Sequence, residues 1–303
     1  MRHNVLDGGA MTLFSQNIYK GVTNVMNEQD QNEPSGLNGG AAPSSEELWN
    51  EDTYAAWTSR FGSPAEAAEK LAKDPAGKLF PLNAYMGDVQ GRKIMNLMGS
   101  NGMKAVALGL MGAEVTVADF SEANGRYAAE LAQEAGVKLN YIVSDVLGLP
   151  EAVLDGSYDL VFAEMGIVHY FTDLAPFMTT AYRLLAPGGK FVLRDFHPVT
   201  TKLISSKGST AKVRKHKVNG DYFDTALEEK QVSYSKYMPS SGEAAGADRP
   251  NVVYWRRWTL GEIVTAAAAS GLVIQELVEE PNLSSDVYDK GIPKTFTLVA
   301  GKR

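Results

Sequence analysis

The 303-residue chain contains no cysteine. Disulfides, thiolate nucleophiles and cysteine-ligated zinc are therefore excluded. Histidine is almost as scarce: His3, His169, His197 and His216 are the full set, and no two stand at metal-ligand spacing, so no metal site is expected. No apolar run approaches the ~20 residues that cross a bilayer, and the N-terminus lacks a basic-then-apolar leader pattern. The expectation is a cytoplasmic protein with no membrane partner. Positive charge is also in deficit, 29 Lys and Arg against 36 Asp and Glu for a net charge of -7, which argues against a nucleic-acid partner. What remains is ordinary for a soluble globular protein: 44% hydrophobic and 21% charged residues, on a chain long enough to bury a full α/β core.

Residues 1–43 are rich in Asn, Gln, Gly and Ser and read as a disordered tail, because such a segment buries too little apolar surface to offset its ordering entropy. Residues 44–90 read as helical. Ser44-Ser45-Glu46-Glu47 has capping-box spacing, and Tyr54, Trp57 and Phe61 follow on one helical face. Gly62 stops that helix. Ser63 then caps a second one, with Pro64 at its first position and Glu66 reaching back. These helices either lid a site in the main domain or dock on its core through the aromatic stripe.

From residue 91 strands and helices alternate, which predicts a doubly wound, mostly parallel sheet. Strands are expected over 94–98, 114–119, 139–143, 158–163, 190–195, 272–279 and 294–301. The fifth follows the Pro187-Gly188-Gly189 turn. Between about 199 and 251 the alternation breaks. That stretch carries the basic group Lys212, Arg214, Lys215 and Lys217 and the aromatics Tyr222, Phe223, Tyr234 and Tyr237. It is too long for a connection and too aromatic for a linker, so we read it as an insertion with short strands capping the ligand end of the sheet. Tyr254 and Trp255 extend the aromatic set as a candidate substrate wall.

The segment from Lys93 to Ser121 carries the chemistry. A strand, a turn containing Gly99 and Gly102, a helix, and a second strand ending in Asp119 make a βαβ unit for an adenosine-type ligand. Asp119 lies 17 residues past Gly102 (119 minus 102) at a strand end, where a carboxylate accepts hydrogen bonds from ribose hydroxyls. At this point the sequence resembles the class I (Rossmann-like) S-adenosylmethionine-dependent methyltransferases. Their first motif reads roughly V-L-D-L-G-C-G-T-G. Aligned on Gly102, Asn96 stands at the acidic position, Met98 and Ser100 at the first two glycines, and Gly99 at the small position between them. The resemblance extends from Arg92 to Arg303 and is similar to the small-molecule and quinone-type members. It implies a seven-stranded sheet with the last strand antiparallel.

The same resemblance implies S-adenosylmethionine as cofactor and a small-molecule acceptor as partner. The cofactor would be held by Asn96, Gly99, Ser100, Asn101 and Gly102 at the loop. Asp119, Phe120 and Ser121 would stand at the ribose, Ser144, Asp145 and Val146 at the adenine, and Glu164 and Met165 near the transferred methyl. Where the methyl acceptor must lose a proton, His197 and His169 are the candidate bases, with Asp195 placed to orient or charge His197. Two other readings stay open. One is an NAD(P)-dependent oxidoreductase using Gly99 and Gly102 as a dinucleotide turn, although no Tyr-x-x-x-Lys pair follows the fourth strand. The other is a catalytically degenerate binding module. The sequence carries no signal for the acceptor's nucleophilic atom or for oligomeric state.

Overall fold

A computed structural model describes residues 53–207, 215–231, 252–283 and 291–303. The tail, the Ser44–Glu47 capping box, Lys212, Arg214, Tyr234 and Tyr237 lie outside the described residues.

Seven strands form one sheet: β1 (Lys93–Leu97), β2 (Glu114–Asp119), β3 (Leu139–Val143), β4 (Tyr158–Glu164), β5 (Leu185–Phe196), β10 (Val273–Glu280) and β11 (Thr295–Gly301). Their order is β10-β11-β5-β4-β1-β2-β3. The pairs β1–β2, β2–β3, β1–β4 and β4–β5 are parallel, and β11 runs antiparallel to both β5 and β10. The strand order reverses between β1 and β4, and in such sheets the crevice for a ligand opens at the carboxyl ends of those two strands.

Period-2 alternation divides the core between two faces. Met95, Leu97, Val161 and Leu193 pack on one side with helices α7 (Ala175–Leu184) and α8 (Leu260–Ala269), which contribute Phe177, Met178, Ile263 and Ala267. Ile94, Val117, Leu160 and Val192 pack on the other with α5 (Met103–Leu110) and α6 (Glu122–Glu134). The helices α1 (Thr53–Phe61), α2 (Pro64–Lys73), α3 (Pro75–Lys78) and α4 (Asn83–Met86) join that second face through Ala67, Leu71, Leu79 and Met86. The aromatic stripe of α1 docks there too: Tyr54 meets Tyr127 edge-on with ring centroids 5.6 Å apart, and Trp57 Nε1 donates to Asn124 Oδ1 at 2.7 Å.

Ser63 and Glu66 cap α2 reciprocally, with Pro64 in its first turn, as their spacing predicts. Thr259 and Glu262 do the same for α8. One boundary needs correction. The fifth strand does not begin after the Pro187-Gly188-Gly189 turn but at Leu185, and the turn is a bulge inside it: Tyr158 pairs with Leu185 and Leu160 with Lys190. The bulge keeps pairing because Gly188 N–H donates to Lys302 O at 2.8 Å and Lys302 N–H to Gly189 O at 3.1 Å.

Beyond β5 the chain forms two antiparallel hairpins, β6 (Ile204–Lys207) with β7 (Lys215–Val218), and β8 (Leu227–Gln231) with β9 (Val252–Arg256). Lys202, 4% exposed, ties this region down by donating to Asp224 O at 2.5 Å and Arg257 O at 2.7 Å. Among the described residues no helix is long and apolar enough to cross a membrane.

Candidate active site

The loop after β1 holds its shape without the expected glycines. Met98 and Ser100 adopt left-handed φ of 51° and 50°, and Gly102 follows at 71°. Two L-residues therefore hold left-handed positions that glycine would take without strain, at a cost of roughly 1–2 kcal/mol each. The glycines that remain are needed for space. A Cβ on Gly102 would lie 2.6 Å from Ala128 Cβ, and one on Gly99 would lie 2.5 Å from Asn96 Oδ1. Met165, after β4, is the third non-glycine residue with positive φ among the described residues, at 59°. All three flank the point where the strand order reverses, which is where strain at a ligand site is expected to concentrate.

Removing the strain at Ser100 should show in stability. Ser100→Gly relieves the left-handed cost but loosens the unfolded chain, so a net gain of about 0.5–1 kcal/mol is expected in chemical denaturation. A loss of stability would mean that the side chain, rather than the backbone, holds this turn.

Asp119 ends β2 as predicted and is 6% exposed. Its Oδ2 accepts from Ser100 N–H at 3.0 Å; its Oδ1 accepts from Ser121 N–H at 3.0 Å and Asn124 Nδ2 at 3.2 Å. Burial raises its pKa while these bonds oppose the rise. The Tyr141 hydroxyl also acts on this carboxylate, so a ribose hydroxyl would share or displace one of these donors. Tyr141 supports the same turn by donating to Ser100 O at 2.9 Å. Asn101 Oδ1 accepts from Met103 N–H at 3.2 Å, closing the turn into α5. Phe120 is half-buried beside Ser121, which is fully buried and caps α6 by accepting from Asn124 N–H. Asn96 turns inward: it is 4% exposed, its Nδ2 faces Leu97 O, and its Oδ1 packs on Gly99.

At the end of β3, Asp145 is exposed and its Oδ1 accepts from Leu147 N–H at 2.8 Å. Ser144 N–H donates to Asp119 O at 3.0 Å, which joins the ends of β2 and β3, and Val146 is buried beneath. Val143 and Leu147 expose 46% and 44% of their surface beside Asp145, an apolar ledge next to a hydrogen-bond acceptor. At the end of β4, Glu164 pairs with Lys104 through Oε1, while its Oε2 is buried without a hydrogen-bond partner. Lys78 lies near both with its ammonium 5.1 Å from the centre of the Phe61 ring. Burial and the Lys104 charge pull its pKa down to about 8, against Glu164. Met165 Sδ lies 3.1 Å from Arg194 Nη1, and Arg194 is itself buried on Glu280 and Thr295.

These residues fit S-adenosylmethionine. Asp119 would offer a carboxylate at the ribose, Asp145 with the exposed Val143 and Leu147 a polar and apolar edge at the adenine, and Glu164 a half-satisfied carboxylate at the amino-acid end. Lys104 and Lys78 were not foreseen. Lys104 was legible as the only charge in the apolar helix MKAVALGL, directly behind Gly102; nothing local marks Lys78.

The pairing imagined between Asp195 and His197 does not form. Asp195, 1% exposed, accepts four backbone N–H groups: Gly166 at 2.7 Å, Ile167 at 2.8 Å, Val168 at 2.9 Å and Phe196 at 2.7 Å. It fixes the loop after β4. The partner of His197 is Glu279, 2.6 Å from Nε2, while Nδ1 accepts from Val199 N–H at 3.1 Å. Both ring nitrogens are engaged within the protein, and burial lowers the His197 pKa against the Glu279 interaction.

His169 is the contrasting case. Its ring packs against Tyr170 and Trp255 with centroids 4.3 and 4.2 Å away, and its Nε2 is buried without a partner. Burial, helped by the nearby Arg257 charge, pulls its pKa down to about 3. The unfolded chain, with an ordinary imidazole near 6.5, therefore binds one more proton between those values. The stability contributed by neutral His169 is complete above about pH 6.5 and is lost as pH falls toward 3, by at most about 1.4 kcal/mol per pH unit. His197, lowered in the same direction, adds to that trend. His169→Asn is expected to flatten stability against pH, measured by denaturant titration between pH 5 and 7; an unaltered slope would contradict a buried neutral ring.

Residues 98–193 match the family model for a methyltransferase domain. A demethylmenaquinone methyltransferase of Thermus thermophilus is 33% identical over 109 residues, covering 35% of this chain and 48% of the relative. A ubiquinone biosynthesis O-methyltransferase of Rhizobium johnstonii is 31% identical over 124 residues, covering 41% and 46%. The chain thus spans about half the length of the curated relatives it matches. In fold it resembles an S-adenosylmethionine-dependent methyltransferase from Mesorhizobium loti, with a TM-score of 0.56 and 20% identity over 78% of this chain and 100% of the other. The seven-stranded order, the left-handed turn closed on Asp119 and the matched domain replace the nicotinamide reading: residues 98–193 form a methyltransferase domain, carried on the fold of the class I, Rossmann-like S-adenosylmethionine-dependent methyltransferases.

Proposed function

We propose that the protein catalyses methyl transfer from S-adenosylmethionine to a small, uncharged organic acceptor in the cytoplasm. The observation that carries this reading is the turn 98–102. Its left-handed backbone is kept at Met98 and Ser100 against their intrinsic preference and is pinned by Ser100 N–H on Asp119. A turn with no ligand to serve has no need of that strain. The quinone-pathway names of the relatives favour an aromatic acceptor.

S-adenosylmethionine, when bound, supplies a methyl group on a sulfonium, a good leaving group. The chain's task is then to hold and align the reactants and to exclude water. Asp119 and the 98–102 turn would hold the ribose. Asp145 with Val143 and Leu147 would hold the adenine. Glu164 would take the ammonium of the amino-acid end in place of the inward-turned Asn96, with Lys104 and Lys78 offering their charges to the carboxylate. The helices α1–α4 and the hairpins β6–β7 and β8–β9 would flank the site on either side.

Calorimetric titration with S-adenosylmethionine, S-adenosylhomocysteine and NADPH tests this reading. Micromolar binding of the first two and none of the third is expected. Binding of NADPH alone would overturn the reading, and binding of none would favour the degenerate module.

A further inference from the structure

Asn124 is 2% exposed, and its side-chain amide has a partner at each end. The indole Nε1 of Trp57 donates to its Oδ1 at 2.7 Å, and its Nδ2 donates to Asp119 Oδ1 at 3.2 Å. Those two partners leave the amide a single orientation. An indole N–H only donates and an ionised carboxylate only accepts, so the oxygen must face Trp57 and the nitrogen Asp119. The backbone of the same residue is fixed as well, with Asn124 N–H donating to Ser121 Oγ at 3.2 Å.

Trp57 lies on α1, before the first strand, and its ring is itself held in place. It stacks on Phe61 one turn further on, with ring centroids 5.8 Å apart, and the cationic ends of Arg60 and Lys78 lie 5.3 and 5.1 Å from the centre of the Phe61 ring. The helix therefore delivers one hydrogen-bond donor, at a fixed place, to an amide whose other end rests on the carboxylate that closes β2. Remove that donor and the amide keeps only one of its two constraints, with its oxygen buried and unpaired. Any rotation that finds the oxygen a new donor takes Nδ2 off Asp119. The Asn124 bond also opposes the rise that burial imposes on the Asp119 pKa, so the orientation of the amide favours the charged, accepting form of the carboxylate.

We infer that Trp57 and Asn124 are positioning residues for cofactor binding: the relay Trp57–Asn124–Asp119 lets α1 fix the carboxylate that takes the ribose hydroxyls. This rests on the methyltransferase reading above, with Asp119 at the ribose, and deepens it by giving the N-terminal helix a part in binding as well as in docking. Both residues act through Asp119. Contact between either side chain and the ligand is not required.

The test is calorimetric titration with S-adenosylhomocysteine and with its 2′,3′-dideoxy analogue, which lacks the hydroxyls that Asp119 would accept from. The wild-type protein is expected to prefer the diol by about tenfold or more. Trp57→Phe keeps a ring against Phe61 and removes the N–H, while Asn124→Ala removes the amide. Each is expected to cut the preference roughly three- to tenfold and to leave affinity for the dideoxy analogue as it was. The double variant should lose no more than Asn124→Ala alone, because the effect of Trp57 passes through the amide. Tyr54→Phe is the control. Tyr54 docks the same helix through Glu130 and the Tyr127 ring, so its variant should keep the wild-type preference. An unchanged preference in Trp57→Phe, an equal loss for both ligands, additive losses in the double variant, or a matching loss in Tyr54→Phe overturns the relay. Should Asn124→Ala not fold, the two ring variants decide the matter alone. Wild-type protein that binds S-adenosylhomocysteine with no preference for the diol removes Asp119 from the ribose instead, and wild-type protein that binds neither ligand overturns the methyltransferase reading.

Discussion

Asp195→Ala is expected to destabilise the protein by about 3–5 kcal/mol, because it strands a set of buried donors and not a single contact. Four backbone N–H groups, from Gly166, Ile167, Val168 and Phe196, converge on this one carboxylate in the interior. Three of them belong to the loop after β4, so the loss is local as well as global: the segment carrying Met165 and His169 loses its anchor. A drop in Tm on the order of 10 °C is the corresponding readout. Asp195→Asn should be nearly as damaging. Each carboxylate oxygen faces two N–H groups, Gly166 and Phe196 on one, Ile167 and Val168 on the other. An amide therefore points its own donors at two others whichever way it is flipped. If the asparagine variant unfolded like the wild type, the four-donor description of Asp195 would be wrong.

Asp119→Ala should act first on the ligand. Hydrogen bonds to a charged group contribute about 1.5–3 kcal/mol, so S-adenosylhomocysteine affinity is expected to fall roughly 10- to 150-fold by calorimetry. The same change frees Ser100 N–H, and the 98–102 turn loses the bond that holds it in its left-handed form. Faster hydrogen exchange at Ser100 and Ser121 is expected alongside the weaker binding. Affinity within twofold of the wild type would remove Asp119 from the ribose site.

The sequence reveals what is local or periodic. The capping boxes at Ser63–Glu66 and Thr259–Glu262 form from residues three apart, and Asp119 is recognisable because a strand end, a turn and a helix follow one another without a break. The strand alternation that orders the sheet is legible for the same reason. Pairing across the sheet is not. Glu279 reaches His197 from 82 positions away, on a neighbouring part of the fold, whereas the nearby Asp195 points to the other side. Adjacent strand residues face opposite ways, but residues two apart share a face only while the strand stays regular, and β5 ends between 195 and 197. The turn at 98–102 is instructive in the opposite sense. Met98 and Ser100 look like the loss of a motif in the sequence, yet both take the left-handed backbone that a glycine at their place would permit. The glycine at Gly188 proved equally local in cause, serving a bulge and not a strand start.

Lys202 suggests how the acceptor preference of such a protein diversifies. One buried ammonium grips Asp224 O, before the second hairpin, and Arg257 O, after it. The chain between those two carbonyls therefore leaves and re-enters the domain at one buried ammonium, much as a cartridge seats in a socket, and Arg256 latches its far end on Thr172 O and Glu262. Sequence drift, lengthening or wholesale exchange of the segment from 225 to 256 would change the proposed acceptor wall around Trp255 without touching the β1 turn or Asp119. The socket keeps the donor of the methyl group constant, and the cartridge is where a new acceptor is learned.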